Sequence, residues 1–368
     1  MLCLPWSKKH SYSPLIPVEE PTTRYAARRL RRRSLIRLVR IPMAILLLLS
    51  ILLLLVFPQE GHGKKKQWLD TVGNWRSPVY GVEPIPCHSH NDYLRSPPLF
   101  AALGTGCASV ETDIYFDGEE LYVSHNEEDR TRNATLSSLY IEPLTEILKA
   151  ANSGRGDGAK GPQAGVFGAA PSQSLVLVID FKTSASEAWP HVNEALEPLR
   201  QRGWLEHWNG TNRVPGPVTV VGSGGVSYKL VTANNTYRDI FLDAPLDSLE
   251  DKSDVKKKSM FKYNSSNSHY ASAKLDTATG IDITWTGFRQ KAGIRKVRGQ
   301  IHEARSRGLL PRYWGTPGKP RLFRKTLWQV LIRESVGVLN VDDLAAVREL
   351  RWTLPWKNSG PAAVNSQQ

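Results

Sequence analysis

The segments His88-Ser-His-Asn-Asp-Tyr93, Ser109-Val-Glu-Thr-Asp-Ile-Tyr115 and His125-Asn126 bring three histidines and a Glu-x-Asp pair within 38 residues of one another. Side chains two apart on an extended strand share a face, because the strand period is two. Glu111 and Asp113 can therefore offer their oxygens to one hard cation, Mg²⁺ or another hard divalent ion. His88 and His125, on either side in sequence, can serve as proton acceptor and proton donor. This combination suits metal-assisted cleavage of a phosphodiester.

Such groups need a scaffold that aims them at one place. Short apolar runs recur along the chain at 82–87, 109–115, 175–181, 218–222, 239–243, 270–275, 309–314 and 336–341. Between them lie helical patterns at 99–104, 143–150, 189–203, 290–308, 321–334 and 343–352. The pattern over 290–308 puts Ile294, Val297, Ile301 and Ala304 on one face. Eight strands alternating with helices predict an α/β fold, a (β/α)8 barrel of the TIM type. The rival is an open doubly wound sheet, but no Gly-x-Gly-x-x-Gly follows the first strand. Two stretches break the rhythm. Ser153–Ser174 is rich in Gly, Ala and Pro and reads as a flexible insertion. Glu250–Ser268 is rich in Lys, Ser and Asn and reads as a solvated loop.

In a barrel, function gathers at the carboxyl ends of the strands. His88 and Asn91 follow the first strand, and Glu111 and Asp113 lie late in the second. His125 ends a short extended run, Leu121-Tyr-Val-Ser-His. Asp180 and Lys182 end Leu175-Val-Leu-Val-Ile-Asp-Phe-Lys182, Trp314 ends the seventh strand, and Asp342 follows the eighth. Asp180 supplies a third carboxylate ligand. Lys182 neutralises a phosphate or pairs with Asp180. Trp314 packs the barrel mouth or stacks on a substrate. His90 and Asp92 are read as support behind the primary groups. His191, His207, His269 and His302 are read as surface or structural residues.

The five blocks His88-Ser-His-Asn-Asp-Tyr, Ser109-Val-Glu-Thr-Asp, Leu121-Tyr-Val-Ser-His, Arg312-Tyr-Trp-Gly-Thr-Pro and Leu339-Asn-Val-Asp-Asp resemble the phosphatidylinositol phospholipase C-like phosphodiesterase barrels, which include glycerophosphodiester phosphodiesterases. Within that superfamily they are most similar to the fungal altered inheritance of mitochondria protein 6 family, over about residues 84–350. The resemblance implies a TIM barrel. It maps a His-x-x-Asn block onto His88 and Asn91, a Glu-x-Asp onto Glu111 and Asp113, and a second histidine onto His125. It maps a third acidic ligand and its following lysine onto Asp180 and Lys182. His90, Asp92 and Arg95 have no counterpart in the wider pattern. The His-Arg-Gly and Pro-Glu-Asn-Thr blocks of glycerophosphodiesterases are absent. The resemblance suggests the substrate's own neighbouring hydroxyl as nucleophile, giving a cyclic phosphate, rather than water; the residues themselves leave both open.

The N-terminal region implies a place for the molecule. Ile41–Phe57 is a 17-residue run, apolar apart from Pro42 and Ser50, close to the length that spans a bilayer core. Residues 1–66 hold 13 Lys and Arg against 3 Asp and Glu, a net of +10; the whole chain is +13, which leaves +3 for 67–368. Ten of those cations precede the apolar run, so the positive-inside bias predicts a single-pass membrane protein with a cytosolic N-terminus and a lumenal or extracellular domain. The expected organisation is a basic tail over 1–40, an anchor over 41–57, a linker over 58–79, the barrel over 80–355 and a flexible tail over 356–368. Sequons at Asn133, Asn209, Asn234 and Asn264 fall on the predicted lumenal side. The arginines suit a lipid bilayer. A nearly neutral folded part argues against nucleic acid, and nothing in the sequence indicates a protein partner. Cys87 and Cys107 are expected as two buried thiols, since the strand assignment puts them at opposite ends of the sheet.

Taken together, these features predict a membrane-anchored, divalent-metal-dependent phosphodiesterase acting on a phosphodiester such as a lipid headgroup. One alternative is a catalytically inactive tethered barrel that serves as a binding module. The other is a zinc amidohydrolase, which His88-x-His90 would open. That reading needs further histidines after later strands and leaves Glu111-x-Asp113 unexplained.

Overall fold

The computed structural model describes residues 81–153, 162–249, 262–280 and 291–352. Eight parallel strands form the barrel: β1 (Ile85–Ser89), β2 (Cys107–Phe116), β4 (Leu175–Phe181), β7 (Val218–Gly224), β8 (Ile240–Pro245), β9 (Ser268–Lys274), β10 (Leu310–Trp314) and β11 (Val338–Val341). Each pairs with its neighbour, and β1 pairs with both β2 and β11, which closes the sheet. β3 (Leu121–Val123) folds back antiparallel on the outer end of β2. β5 (His207–Trp208) and β6 (Arg213–Val214) make a separate two-stranded hairpin.

Strand alternation sorts the core into two layers. On β4, Leu175, Leu177 and Ile179 join the large cluster shared with the surrounding helices. Val176 and Val178 instead meet Val221, Tyr270, Leu310 and Val338 in a small apolar cluster of their own. The period of two thus gives each strand a helix-facing side and a barrel-lining side. Residues further along the lining side are polar: Asp180 on β4, Glu111 and Asp113 on β2, Arg312 on β10. The apolar layer is the floor on which these groups stand.

Several expectations are corrected. Cys87 and Cys107 form a disulfide, with Cα atoms 4.7 Å apart. β2 begins at Cys107 itself, two residues earlier than expected, and Ile85 pairs with Cys107. A register irregularity between Ile85 and His88 then brings Cys87 alongside. The described end of the 153–174 insertion is packed rather than loose. Val166 and Phe167 are buried, and Asn152 clasps the backbone of Ala164 on both sides, through Nδ2 to O and from N to Oδ1. The helix expected over 189–203 begins earlier and is two helices, Ala185–Ala195 and Glu197–Arg200. The expected anchor at 41–57, its leader and its linker lie outside the described residues. Among the described residues no helix is long and apolar enough to cross a membrane, and that finding replaces the single-pass placement read from the sequence.

Near the amino end of β9 lies a second, largely buried polar cluster. Arg213 donates from Nε to Glu206 Oε1 at 2.9 Å and from Nη2 to His269 Nδ1 at 3.1 Å. Its guanidinium lies 3.9 Å from the centre of the Phe241 ring. Burial and then the charge of Arg213 push the His269 pKa down to about 3. The unfolded chain takes up this proton below pH 6.5, whereas the folded protein refuses it until about pH 3. His269 therefore withdraws stability as pH falls through that window. In His269→Gln the proton site is gone. The stability difference between wild type and variant should move in the variant's favour by up to about 1.4 kcal/mol per pH unit below about pH 6.5. Urea titrations at about pH 7, 6 and 5 check this, and parallel pH profiles would refute it.

Candidate active site

The register between β2 and β4 builds the site. Asp113 pairs directly with Asp180, so the two carboxylates leave the sheet side by side. Glu111 stands two residues deeper on the same face of β2. Glu111, Asp113 and Asp180 each present a ligand atom, all within 4.8 Å of one another.

Asp113 is fully buried. Its Oδ2 accepts from Tyr93 Oη at 2.8 Å and lies 3.2 Å from Lys182 Nζ. Its Oδ1 is buried with no hydrogen-bond partner. Burial pushes its pKa up to about 6; the charge of Lys182 opposes that shift and the charge of Asp180 adds to it. Asp180 accepts from Ser223 Oγ at 3.1 Å and is clasped on its other oxygen by Lys182. Burial pulls Lys182 down, but the bond to Asp180 and the two negative charges outweigh it and take its pKa to about 12. These donors fit a hard divalent cation: three carboxylates, one of them with an orphaned buried oxygen, and no sulfur or ring nitrogen among the three.

Glu111 is held from beneath. His88 Nε2 lies 2.7 Å from Glu111 Oε2, and Arg312 Nη1 donates to the same oxygen at 3.1 Å. Burial raises the Glu111 pKa, but Arg312 and then His88 lower it more, so the group stays well below the ordinary carboxylate range. His88 is 0% exposed. Its Nδ1 lies 2.7 Å from Ser109 Oγ. Burial and then Arg312 hold its pKa down to about 4. Ser109 takes up one ring nitrogen of His88, and Glu111 and Arg312 take up the other. It then has none left for a substrate.

The two other histidines of the motif differ. His90 keeps 28% of its side chain exposed, with Nδ1 2.7 Å from Asp342 Oδ1. Burial lowers its pKa, but the bond to Asp342 and the charges of Glu111 and Asp342 bring it above the ordinary value. His125 is 55% exposed, lies 3.9 Å from Asp113 Oδ2, and shares Tyr93 Oη at 3.1 Å. The antiparallel return of β3 is what brings it back to the end of β2.

The remaining expected residues divide. Asn91 sits at the rim in the left-handed region, φ 47°. Lys182 joins the carboxylates. Trp314 is 39% exposed at the end of β10, so it does not plug the mouth. Asp92 turns away from the cluster: its Oδ2 accepts from Leu99 N at 2.6 Å and Tyr140 Oη at 3.1 Å, so it ties down the loop after β1. Sequence reasoning assigns no site role to Tyr93, Arg312, Asp243 and Asn340. A signal for Arg312 and Asp243 exists, since a charge at a lining position of an apolar strand needs a buried partner.

Residues 77–243 match the AIM6-like phosphodiesterase domain, which makes this a phosphodiesterase-type barrel. The chain is 38% identical over 290 residues to an altered inheritance of mitochondria protein 6 homolog of Arthroderma benhamiae, covering 74% of this chain and 88% of that protein. It is 34% identical over 272 residues to altered inheritance of mitochondria protein 6 of Eremothecium gossypii, covering 71% and 68%. The chain belongs to the altered inheritance of mitochondria protein 6 family. A solved glycerophosphoryl diester phosphodiesterase from Parabacteroides distasonis overlaps 76% of this chain and 90% of its own, with 12% identity and a TM-score of 0.38, a likeness too distant to bear on function.

Gly224 ends β7 at φ 68°, and a Cβ there would run into Asp180 Oδ1 and lie 2.6 Å from Phe181 O. Gly224→Ala should therefore displace Asp180 from the cluster. The expected outcome is a loss of about 1 kcal/mol or more of stability from backbone strain alone, together with weakened Mg²⁺ binding. Thermal melting and calorimetric titration check the pair, and wild-type values in both would refute it.

Proposed function

We propose that this barrel cleaves a phosphodiester with the help of a hard divalent cation, Mg²⁺ or a similar ion, held by Glu111, Asp113 and Asp180. The observation that carries the reading is the cluster of three carboxylates within 4.8 Å, flanked by two accessible histidines. A bound cation supplies charge stabilisation for a phosphate oxygen. The chain's own residues do the rest. Lys182, its ammonium between Asp113 and Asp180, offers a second positive charge to the phosphate. Tyr93 holds Asp113 and His125 in fixed relation through one hydroxyl.

Proton transfer falls to His90 and His125 in this reading, not to His88. An acid/base group needs a nitrogen that reaches the substrate, and both nitrogens of His88 are committed below the cluster. His90 carries the partner that keeps an imidazole oriented and proton-rich, Asp342. One of the two takes a proton from the attacking hydroxyl and the other returns one to the leaving oxygen. Asn91 at the rim and the exposed ring of Trp314 are assigned to substrate binding, and Asp92 supports the loop that carries His90 and Tyr93. A lipid-headgroup phosphodiester is the substrate class proposed. The attacking hydroxyl is either water or the substrate's own, which phosphorus NMR of the product distinguishes by the presence of a cyclic phosphate.

The test uses the purified chain, a panel of phosphodiester lipids, and Mg²⁺ or chelator. Activity should require the cation. Asp113→Asn should weaken Mg²⁺ binding, whereas His125→Ala and His90→Ala should lower turnover by about 10²–10⁴ with metal affinity nearly intact. Full activity in both histidine variants would sink the mechanism and favour a binding barrel.

The pH profile separates the two histidines. Asp342 holds the His90 pKa above its ordinary value. Whether His90 acts as acid or as base, its limb of the pH–rate profile should move to lower pH in Asp342→Asn, while the other limb stays. A profile unchanged in both limbs would remove His90 from the reaction.

A further inference from the structure

Arg312 meets five side chains across the barrel, and the proposed reaction does not use it. It is 4% exposed. Its Nε donates to Ser272 Oγ at 2.8 Å, and its Nη2 to Asp243 Oδ2 at 2.8 Å. Nη1 donates to Glu111 Oε2 and to Asn340 Oδ1, each at 3.1 Å, and lies 2.8 Å from His88 Nε2. One guanidinium on β10 thus touches side chains of β1, β2, β8, β9 and β11, five of the seven other barrel strands.

We propose that Arg312 is a positioning residue for the cation: it fixes which oxygen Glu111 presents and sets the charge the site requires. The proposal rests on the reading of the carboxylate cluster as a cation site. Both of the groups that hold Glu111, Arg312 and His88, bind Oε2. Oε1 is the oxygen left to face the cluster. A planar fork anchored on Ser272, Asp243 and Asn340 cannot swing, so neither can the carboxylate it grips. The charge count follows from the same contacts. Glu111, Asp113, Asp180 and Asp243 bring four negative charges, and Arg312 and Lys182 return two. The remainder matches a divalent cation. A monovalent ion would leave one buried carboxylate uncompensated, and a trivalent ion would overshoot.

Positioning and simple electrostatics predict opposite results for loss of the charge. Removing a positive charge beside the site would by itself tighten cation binding, whereas releasing Glu111 would loosen it. Arg312→Lys keeps the charge and loses the fork. In calorimetric titrations of the full chain with MgCl₂, it should bind about ten-fold or more weakly than wild type, in the range usual for partners of metal ligands. The double variant Asp243→Asn/Arg312→Met, which leaves the net charge unchanged, should weaken binding likewise. Ser272→Ala removes one anchor of the guanidinium and no charge. It serves where the arginine variants fail to fold, and affinity should fall in the same direction. Asp180→Asn is the control for the cation reading. If wild type and Asp180→Asn bind Mg²⁺ alike, that reading fails. If Asp180→Asn loses binding while Arg312→Lys or Ser272→Ala matches wild type, the role of Arg312 is overturned and the cation site stands.

Discussion

Three carboxylates cannot share one end of a barrel without an answer to their mutual repulsion. At separations under 4.8 Å, each pair costs on the order of 3 kcal/mol or more at the effective dielectric of a protein. Burial adds to that cost, because it removes the water that would otherwise screen the charges. The molecule answers with cations placed at two depths. Lys182 stands between Asp113 and Asp180 near the surface, and Arg312 sits between Glu111 and Asp243 in the interior. The answer is incomplete, and the pKa of Asp113, pushed up to about 6, registers the remainder. A carboxylate left this uneasy can take another positive charge beside it. The rest of the fold is the means of holding that imbalance in place.

Strand alternation makes much of this legible in the amino-acid sequence itself. Glu111-x-Asp113 implies one face of one strand, and the run Leu175 to Ile179 implies a buried strand that ends in Asp180. The β2–β4 register, Asp113 opposite Asp180, joins the two. Such local patterns carry through because they depend only on the period of two. Contacts between distant strands are not legible in this way. Arg312 lies 201 residues from Glu111 and 224 from His88, and nothing local states which charge it will meet. The disulfide escapes for a related reason. It depends on where β2 begins and on a register irregularity in β1, and a shift of two residues is enough to hide it.

His88 and His90 show how depth overrides residue type. His88 lies inside β1, opposite Ser109 of β2 and Asn340 of β11. Its neighbours close over it, and it becomes part of the barrel's polar floor. His90 lies just past the strand, where Asp342 past the end of β11 can reach it. Two residues of chain separate a structural imidazole, held down to about 4, from a solvent-reachable one held above its ordinary value. The sequence marks both as histidine at the carboxyl end of a strand. Only the position of the last barrel hydrogen bonds decides which of them can meet a substrate.

Depth also distinguishes the site from an acidic surface elsewhere on the barrel. A cavity of about 520 Å³ lies on the outside of the barrel, among Glu119, Glu142, Glu146, Glu194 and His191. Its acids are numerous, but Glu119, Glu142 and Glu146 are exposed, so water satisfies them and leaves little drive to recruit a cation. At the barrel mouth the carboxylates are held differently. There Glu111 and Asp113 are buried on a rigid sheet; Glu111 Oε2 and Asp113 Oδ2 are engaged by their neighbours, and Asp113 Oδ1 has no partner. Acidity alone marks a solvated surface. Acidity denied its solvent, and only partly offset by Lys182 and Arg312, marks a place where a divalent cation and a phosphate can do chemistry.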